Sequence, residues 1–106
     1  MHKRSLEVKN LAVGDVKNGL SSIAAGGSLD IQPPSGEEWV IHNIYHEYDV
    51  DLALTDGTNE LIFDTDTGAG IYAKYAFHVT NSIWIRVKNK DTANARLIGY
   101  DGIETK

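Results

Sequence analysis

The sequence contains no cysteine, which excludes disulfide bonds and thiolate metal sites. Because small secreted domains often depend on disulfides, this absence favours assembly inside a cell. No apolar run approaches the roughly 18 residues of a membrane-spanning helix, so we expect no membrane partner. The N-terminal Met-His-Lys-Arg-Ser leads into polar residues instead of the apolar core of a signal peptide.

Lysine and arginine are absent from residues 37–66, a stretch with nine Asp and Glu residues. The segments on either side are slightly basic, and the whole chain has a net charge of −5. Because phosphate binding requires clustered Lys and Arg, nucleic acid is not the expected partner. Two interpretations of the acidic stretch stay open. It is either a solvated face that aids solubility or a surface complementary to basic groups of a neighbouring subunit.

A sustained helical period is also missing. After residue 27, apolar and polar residues alternate in about seven or eight short segments separated by turn signals. Asp56-Gly57 lies between two such segments and predicts a β-hairpin. A chain of 106 residues forms one domain. We therefore predict an all-β protein, an antiparallel β-sandwich or jelly roll over residues 27–106.

Residues 38–48 form the most apolar predicted strand. One parity carries Trp39, Ile41, Asn43 and Tyr45, and the other carries Val40, His42, Ile44, His46 and Tyr48. This suits a strand with one face in the core and the other against a neighbour. We therefore expect self-association as a homotrimer. A last strand at residues 95–100 is expected to end before Asp101-Gly102. The interface candidates of the domain are Trp39, His42, Tyr45, His46 and Trp84.

Residues 1–26 have few apolar residues and are predicted to form an extended N-terminal arm with at most one strand. Such an arm can add a strand to a neighbour's sheet, and its basic residues can meet an acidic surface. The alternative is an edge strand that completes its own domain. The interface candidates of the arm are Lys3, Arg4, Leu6, Val8, Lys9 and Leu11.

Recognisable catalytic and metal motifs are missing. The segment from Asp64 to Gly68 looks like a calcium loop, but its fifth and twelfth positions hold Gly68 and Tyr75. His42 and His46 would lie about 13 Å apart along an extended strand, too far to share one zinc ion. No nucleophile elbow or phosphate loop is present. We expect no enzyme and no cofactor. A different calcium site at Asp64 and Asp66, and a glycan site built from Trp and Tyr rings, stay open as alternatives.

Two parts of the sequence resemble small virion proteins of tailed bacteriophages. They are residues 28–44, with the motif Pro33-Pro34-Ser35-Gly36-Glu37-Glu38-Trp39, and residues 81–89 followed by 98–102. The resemblance lies in strand and turn pattern and covers residues 27–106. It implies a non-catalytic β-sandwich that assembles as a trimer on the particle.

The function expected from this resemblance is that of a structural subunit of a phage particle. The specific expectation is a capsid decoration or cement protein that binds the major capsid protein and stabilises the shell. A neck or tail accessory protein that contacts another virion protein, and a carbohydrate-binding β-sandwich module, are the alternatives. The expected location is the virion, assembled in the host cytoplasm.

Overall fold

A computed structural model describes residues 13–106 as two packed antiparallel β-sheets with no helix in that range. The predicted fold class is therefore confirmed. The strands are β1 (Val16–Ile23), β2 (Ser28–Ile31), β3 (Glu38–His46), β4 (Val50–Thr55), β5 (Glu60–Asp66), β6 (Gly70–Tyr72), β7 (Phe77–Thr80), β8 (Trp84–Asn89) and β9 (Arg96–Glu104).

The chain passes repeatedly from one sheet to the other. Sheet A has the order β1-β9-β3-β6, and β7 pairs with the part of β3 that β6 leaves free. Sheet B has the order β2-β8-β4-β5. When β6 and β7 are taken as one interrupted strand, these are two four-stranded sheets connected as a jelly roll. The alternation of apolar residues explains this arrangement, because each sheet buries one face against the other.

The core lies between the inner faces of the two sheets. Its completely buried side chains come from both sheets in similar number, which is expected when strands with a period of two pack face to face. They include Ile31, Leu52, Ile85 and Val87 from sheet B, and Ile41, Ile44, Val79 and Ile98 from sheet A.

A β-bulge between Ile41 and Asn43 reverses the alternation of β3. Trp39 and Ile41 are buried before the bulge and Ile44 after it, while His42 is exposed. The predicted division of this strand into two constant faces is therefore wrong. A bulge inserts one extra residue, so every later side chain changes face.

Gly102 faces this bulge, and the predicted end of the last strand before Asp101-Gly102 is wrong. The last strand continues through both residues to Glu104. A β-carbon on Gly102 would overlap the carbonyl group of Val40, so the two backbones come closer here than any side chain would allow. The glycine therefore serves strand pairing and not a turn.

The first described strand belongs to sheet A. β1 pairs with β9 residue by residue, from Val16 opposite Ile103 to Ile23 opposite Arg96. Residues 16–23 therefore belong to the same sandwich as the strands that follow the predicted boundary at residue 27. The interface candidates Lys3, Arg4, Leu6, Val8, Lys9 and Leu11 lie outside the described residues.

Candidate interaction surface on sheet A

The outer face of sheet A exposes apolar side chains from four of its strands. The pairing registers place them on the same side, because directly paired residues of antiparallel strands share a face. This surface, called the sheet A face below, comprises Val16, Leu20, Tyr45, Ile71, Leu97 and Ile103, whose exposed fractions range from 36 to 69%.

Asp101 forms a polar group at the centre of the sheet A face. Its carboxylate accepts a hydrogen bond from Asn43 Nδ2 at 2.9 Å and another from the Tyr45 hydroxyl. Because the Tyr45 hydroxyl donates to a carboxylate, the pKa of Tyr45 is raised above its usual value. The bond from its hydroxyl holds the ring of Tyr45 across β9, and the bond from Asn43 holds the carboxylate that accepts it. This exposed aromatic side chain is therefore held in place before any partner binds.

A shallow trough lies beside this polar group. Gly99 is opposite Leu20 on one side and Tyr45 on the other, so a position without a side chain separates two large ones. Asn18 and Asp101 line the same trough. A β-carbon on Gly99 would lie 2.7 Å from the carbonyl oxygen of Gly19, so the backbone itself forms the floor.

The bulge in β3 creates this surface. Asn43 and Tyr45 have the same sequence parity as the buried Trp39 and would point inward in a regular strand. The extra residue, His42, shifts both to the outer face, where they meet Asp101. His42 and Tyr45 are accordingly the interface candidates that the structure leaves exposed.

The other three candidates on the domain are buried, which corrects their expected position. Trp39, His46 and Trp84 have exposed fractions of 9, 5 and 7%. The indole N–H of Trp39 donates to Glu37 at 3.0 Å, and its ring stacks on that of Tyr100. Large rings bury more apolar area than any other side chain, and here they stabilise the sandwich. The two tryptophans therefore supply no exposed ring for a glycan.

His46 connects the two sheets. Its Nδ1 lies 2.9 Å from the carbonyl oxygen of Gly68 and 3.0 Å from that of Tyr48. Its Nε2 lies 2.8 Å from the carboxylate of Asp66 on β5. All three partners are acceptor oxygens, so a ring N–H of His46 has an acceptor on either side of the ring. The geometry therefore identifies a buried, hydrogen-bonded latch between β3 and β5.

Intrachain contacts occupy most of the acidic stretch. Glu60 lies between Lys88 and Arg86, at 2.7 and 3.1 Å, and these two cations lower its pKa. The hydroxyl of Tyr72 donates to Asp64, and Lys74 lies 3.2 Å away. Five of the nine carboxylates have a lysine or arginine partner in the same chain: Glu37, Glu38, Asp51, Glu60 and Asp64.

These contacts bear on the two acidic residues that suggested a calcium site. Asp64 and Asp66 point from the edge of sheet B to partners on sheet A, Tyr72 and His46. Within residues 13–106, no group of three or more His, Asp or Glu side chains is arranged to hold a metal ion. Over the same range, no helix is long and apolar enough to cross a membrane.

Comparison of the sequence with protein-family models and with curated proteins found no match.

Proposed function

We propose that this chain is a non-enzymatic structural subunit of a phage particle, most specifically a decoration protein that binds the capsid shell and stabilises it. The sheet A face is the observation that carries the proposal. Six apolar side chains on one face of a small domain form the kind of patch that marks a contact surface. The resemblance of residues 27–106 to small virion proteins supports the phage assignment, and jelly rolls occur among capsid domains.

The sheet A face has the composition expected of a binding surface for a capsid protein. Apolar side chains surround one ordered tyrosine, and tyrosine is enriched at protein interfaces. The hydrogen bonds of Tyr45 and Asn43 to Asp101 reduce the side-chain entropy that binding would otherwise remove. Burial of these side chains against the shell would provide the binding free energy.

A co-sedimentation assay with undecorated particles tests this proposal. The wild-type chain should sediment with the shell, and Ile71→Asp should reduce binding at least about tenfold by placing a charge in the interface. Leu61→Asp is the matched control, because Leu61 is 62% exposed on sheet B and Ile71 is 57% exposed. Absence of binding to every shell, neck and tail preparation of a candidate phage would contradict the proposal.

A second candidate function, glycan binding, has its own specific observation. The trough over Gly99 combines an ordered aromatic ring with the polar side chains of Asn18 and Asp101. Sugars are commonly bound by such a combination of ring stacking and hydrogen bonds. Saturation-transfer NMR with glucose, galactose and N-acetylglucosamine oligomers would detect binding. The signal should disappear in Tyr45→Ala, and absence of a signal from all three sugars would exclude these ligands.

A further inference from the structure

Among residues 13–106, strand β1 forms an edge of sheet A. All eight of its residues pair with β9 without a register shift, and no described residue pairs with its other side. The N–H of Glu104 donates to the carbonyl of Asp15 at 2.9 Å. In an antiparallel ladder, alternate residues direct their backbone groups away from the partner strand. Counted from Asp15, the outward-directed residues are Val16, Asn18, Leu20 and Ser22.

The other described edges have protection that β1 lacks. β2 has four residues and is followed by Pro33-Pro34, while β6 and β7 have three and four residues. β5 is interrupted by a register shift and carries three acidic residues. Short strands, prolines, bulges and charges are the features by which proteins prevent an edge from pairing. The regular eight-residue β1 has no proline and no bulge.

The charge of β1 is neutralised within the chain. Its one charged residue is Lys17, whose Nζ lies 3.1 Å from Glu104 and 3.8 Å from Glu37. Two copies that each carry a net charge of −5 repel one another over much of their surface. A neutral edge is where a second copy can approach with the least repulsion.

We propose that β1 of one copy pairs antiparallel with β1 of a second copy about a two-fold axis. The edge complements itself, because an antiparallel strand rotated by a two-fold axis presents the same donors and acceptors to its partner. Val16 and Leu20, exposed by 67 and 69%, are then brought beside their counterparts on the sheet A face. The result is one continuous sheet across both copies.

This contact goes beyond the proposed function, because it joins two copies and not a copy and a shell. It gives an assembly with an even number of chains, in contrast to the homotrimer expected from the sequence. A chain that dimerises without binding particles, or binds particles without dimerising, would separate the two proposals.

Sedimentation equilibrium of the full chain tests the contact. We expect a species of twice the 11.6 kDa chain mass. Leu20→Lys should raise the dissociation constant of the dimer at least about tenfold, because the substitution places two like charges close together across the two-fold axis. Leu61→Lys introduces the same charge at a similarly exposed leucine on sheet B and should have no effect. Ser22→Pro should also weaken the dimer, since it removes an outward N–H while sparing the ladder with β9.

Hydrogen exchange supplies a second measurement at the edge itself. The amides of Asn18 and Leu20 should exchange slowly in the wild-type dimer and rapidly in the Leu20→Lys variant. A wild-type monomer at millimolar concentration, a trimer, or a dimer that persists in both β1 variants would overturn the proposal. Slow exchange of the Asn18 and Leu20 amides in a wild-type monomer would also overturn the proposal, because another segment of the same chain would then cover the edge.

Discussion

Replacement of His46 by leucine should destabilise the domain by about 2–4 kcal/mol. The side chain of His46 is 1% exposed and lies within hydrogen-bond distance of the carbonyls of Gly68 and Tyr48 and of the carboxylate of Asp66. A net hydrogen bond contributes about 0.5–1.5 kcal/mol, and one with a charged partner about 1.5–3 kcal/mol. The side chain of Asp66 is 34% exposed, so it regains water after the substitution, and this lowers the ionic contribution.

A loss of this size is a large part of the stability of a small domain, which is about 5–15 kcal/mol. It should appear as a lower urea midpoint with an unchanged m value, and as a decrease in melting temperature of about 4–8 °C per kcal/mol. His42→Leu is the matched control, because His42 is exposed at the bulge of the same strand. We expect His42→Leu to change the free energy of unfolding by no more than about 0.5 kcal/mol.

A double-mutant cycle tests the latch directly. Asp66→Asn retains a side-chain oxygen that can accept from His46 Nε2 but removes the negative charge, so it should be less destabilising than His46→Leu. If the histidine and the carboxylate act together, the effects of His46→Leu and Asp66→Asn will not add. Strict additivity, or a His46→Leu variant as stable as His42→Leu, would refute the inference that His46 connects the sheets.

Three further substitutions test other parts of the fold. Gly102→Ala should destabilise the domain by more than about 3 kcal/mol or prevent folding, because the new β-carbon would overlap backbone atoms of β3. Gly70→Ala is the control and should fold, because the space at its β-carbon is open. Thermal melting followed by circular dichroism compares the two variants. Trp84→Phe should lower the free energy of unfolding, measured by urea titration, less than Trp39→Phe does. The reason is that the buried indole N–H of Trp84 has no acceptor among the described residues, whereas that of Trp39 donates to Glu37. Backbone N–H groups and the guanidinium of Arg96 lower the pKa of Asp91 from 3.8 to about 2. The ionised carboxylate of Asp91 therefore stabilises the fold fully above about pH 4, and this stabilisation is lost as the pH falls towards about 2. The melting-temperature difference between wild type and Asp91→Asn should therefore shrink over that interval, and a constant difference would contradict the assignment.

The fold class could be predicted because it depends on a local signal. Alternating apolar residues and an Asp-Gly pair are visible in any short window, and the hairpin of β4 and β5 is found where Asp56-Gly57 predicts it. The sequence predicts seven or eight strands after residue 27 and leaves the count open, and the structure has eight there, β2 to β9, of which β6 and β7 are only three and four residues long. Strands of that length carry too few alternations to be separated from loops.

The candidate surface was only partly predictable, because it depends on one inserted residue. Nothing in the order of residues 38–46 marks His42 as a bulge, so Trp39 and His46 were expected at an interface that also contained Tyr45. The sequence offers one clue in Gly102, because a glycine within a strand pattern can indicate a close approach of two backbones. The partners of the acidic stretch lie far away in sequence, as with Glu60 and Lys88, and no local pattern reveals them.

The pairing of charges within the chain and the exposure of the sheet A face are connected. The acidic stretch is the largest local concentration of charge in the sequence, and five of its nine carboxylates pair with lysine or arginine in the same domain. The basic residues that neutralise it include Lys88 and Arg86 on the outer face of sheet B, opposite the sheet A face. The outer face of sheet B thus carries the ion pairs of Arg86 and Lys88 beside the exposed Ile62, whereas the outer face of sheet A carries six exposed apolar side chains around Asp101. Because burial of ion pairs is costly and burial of apolar side chains is favourable, a partner gains more by covering sheet A than sheet B. The same division explains why the proposed contacts, with a shell and with a second copy, both involve sheet A.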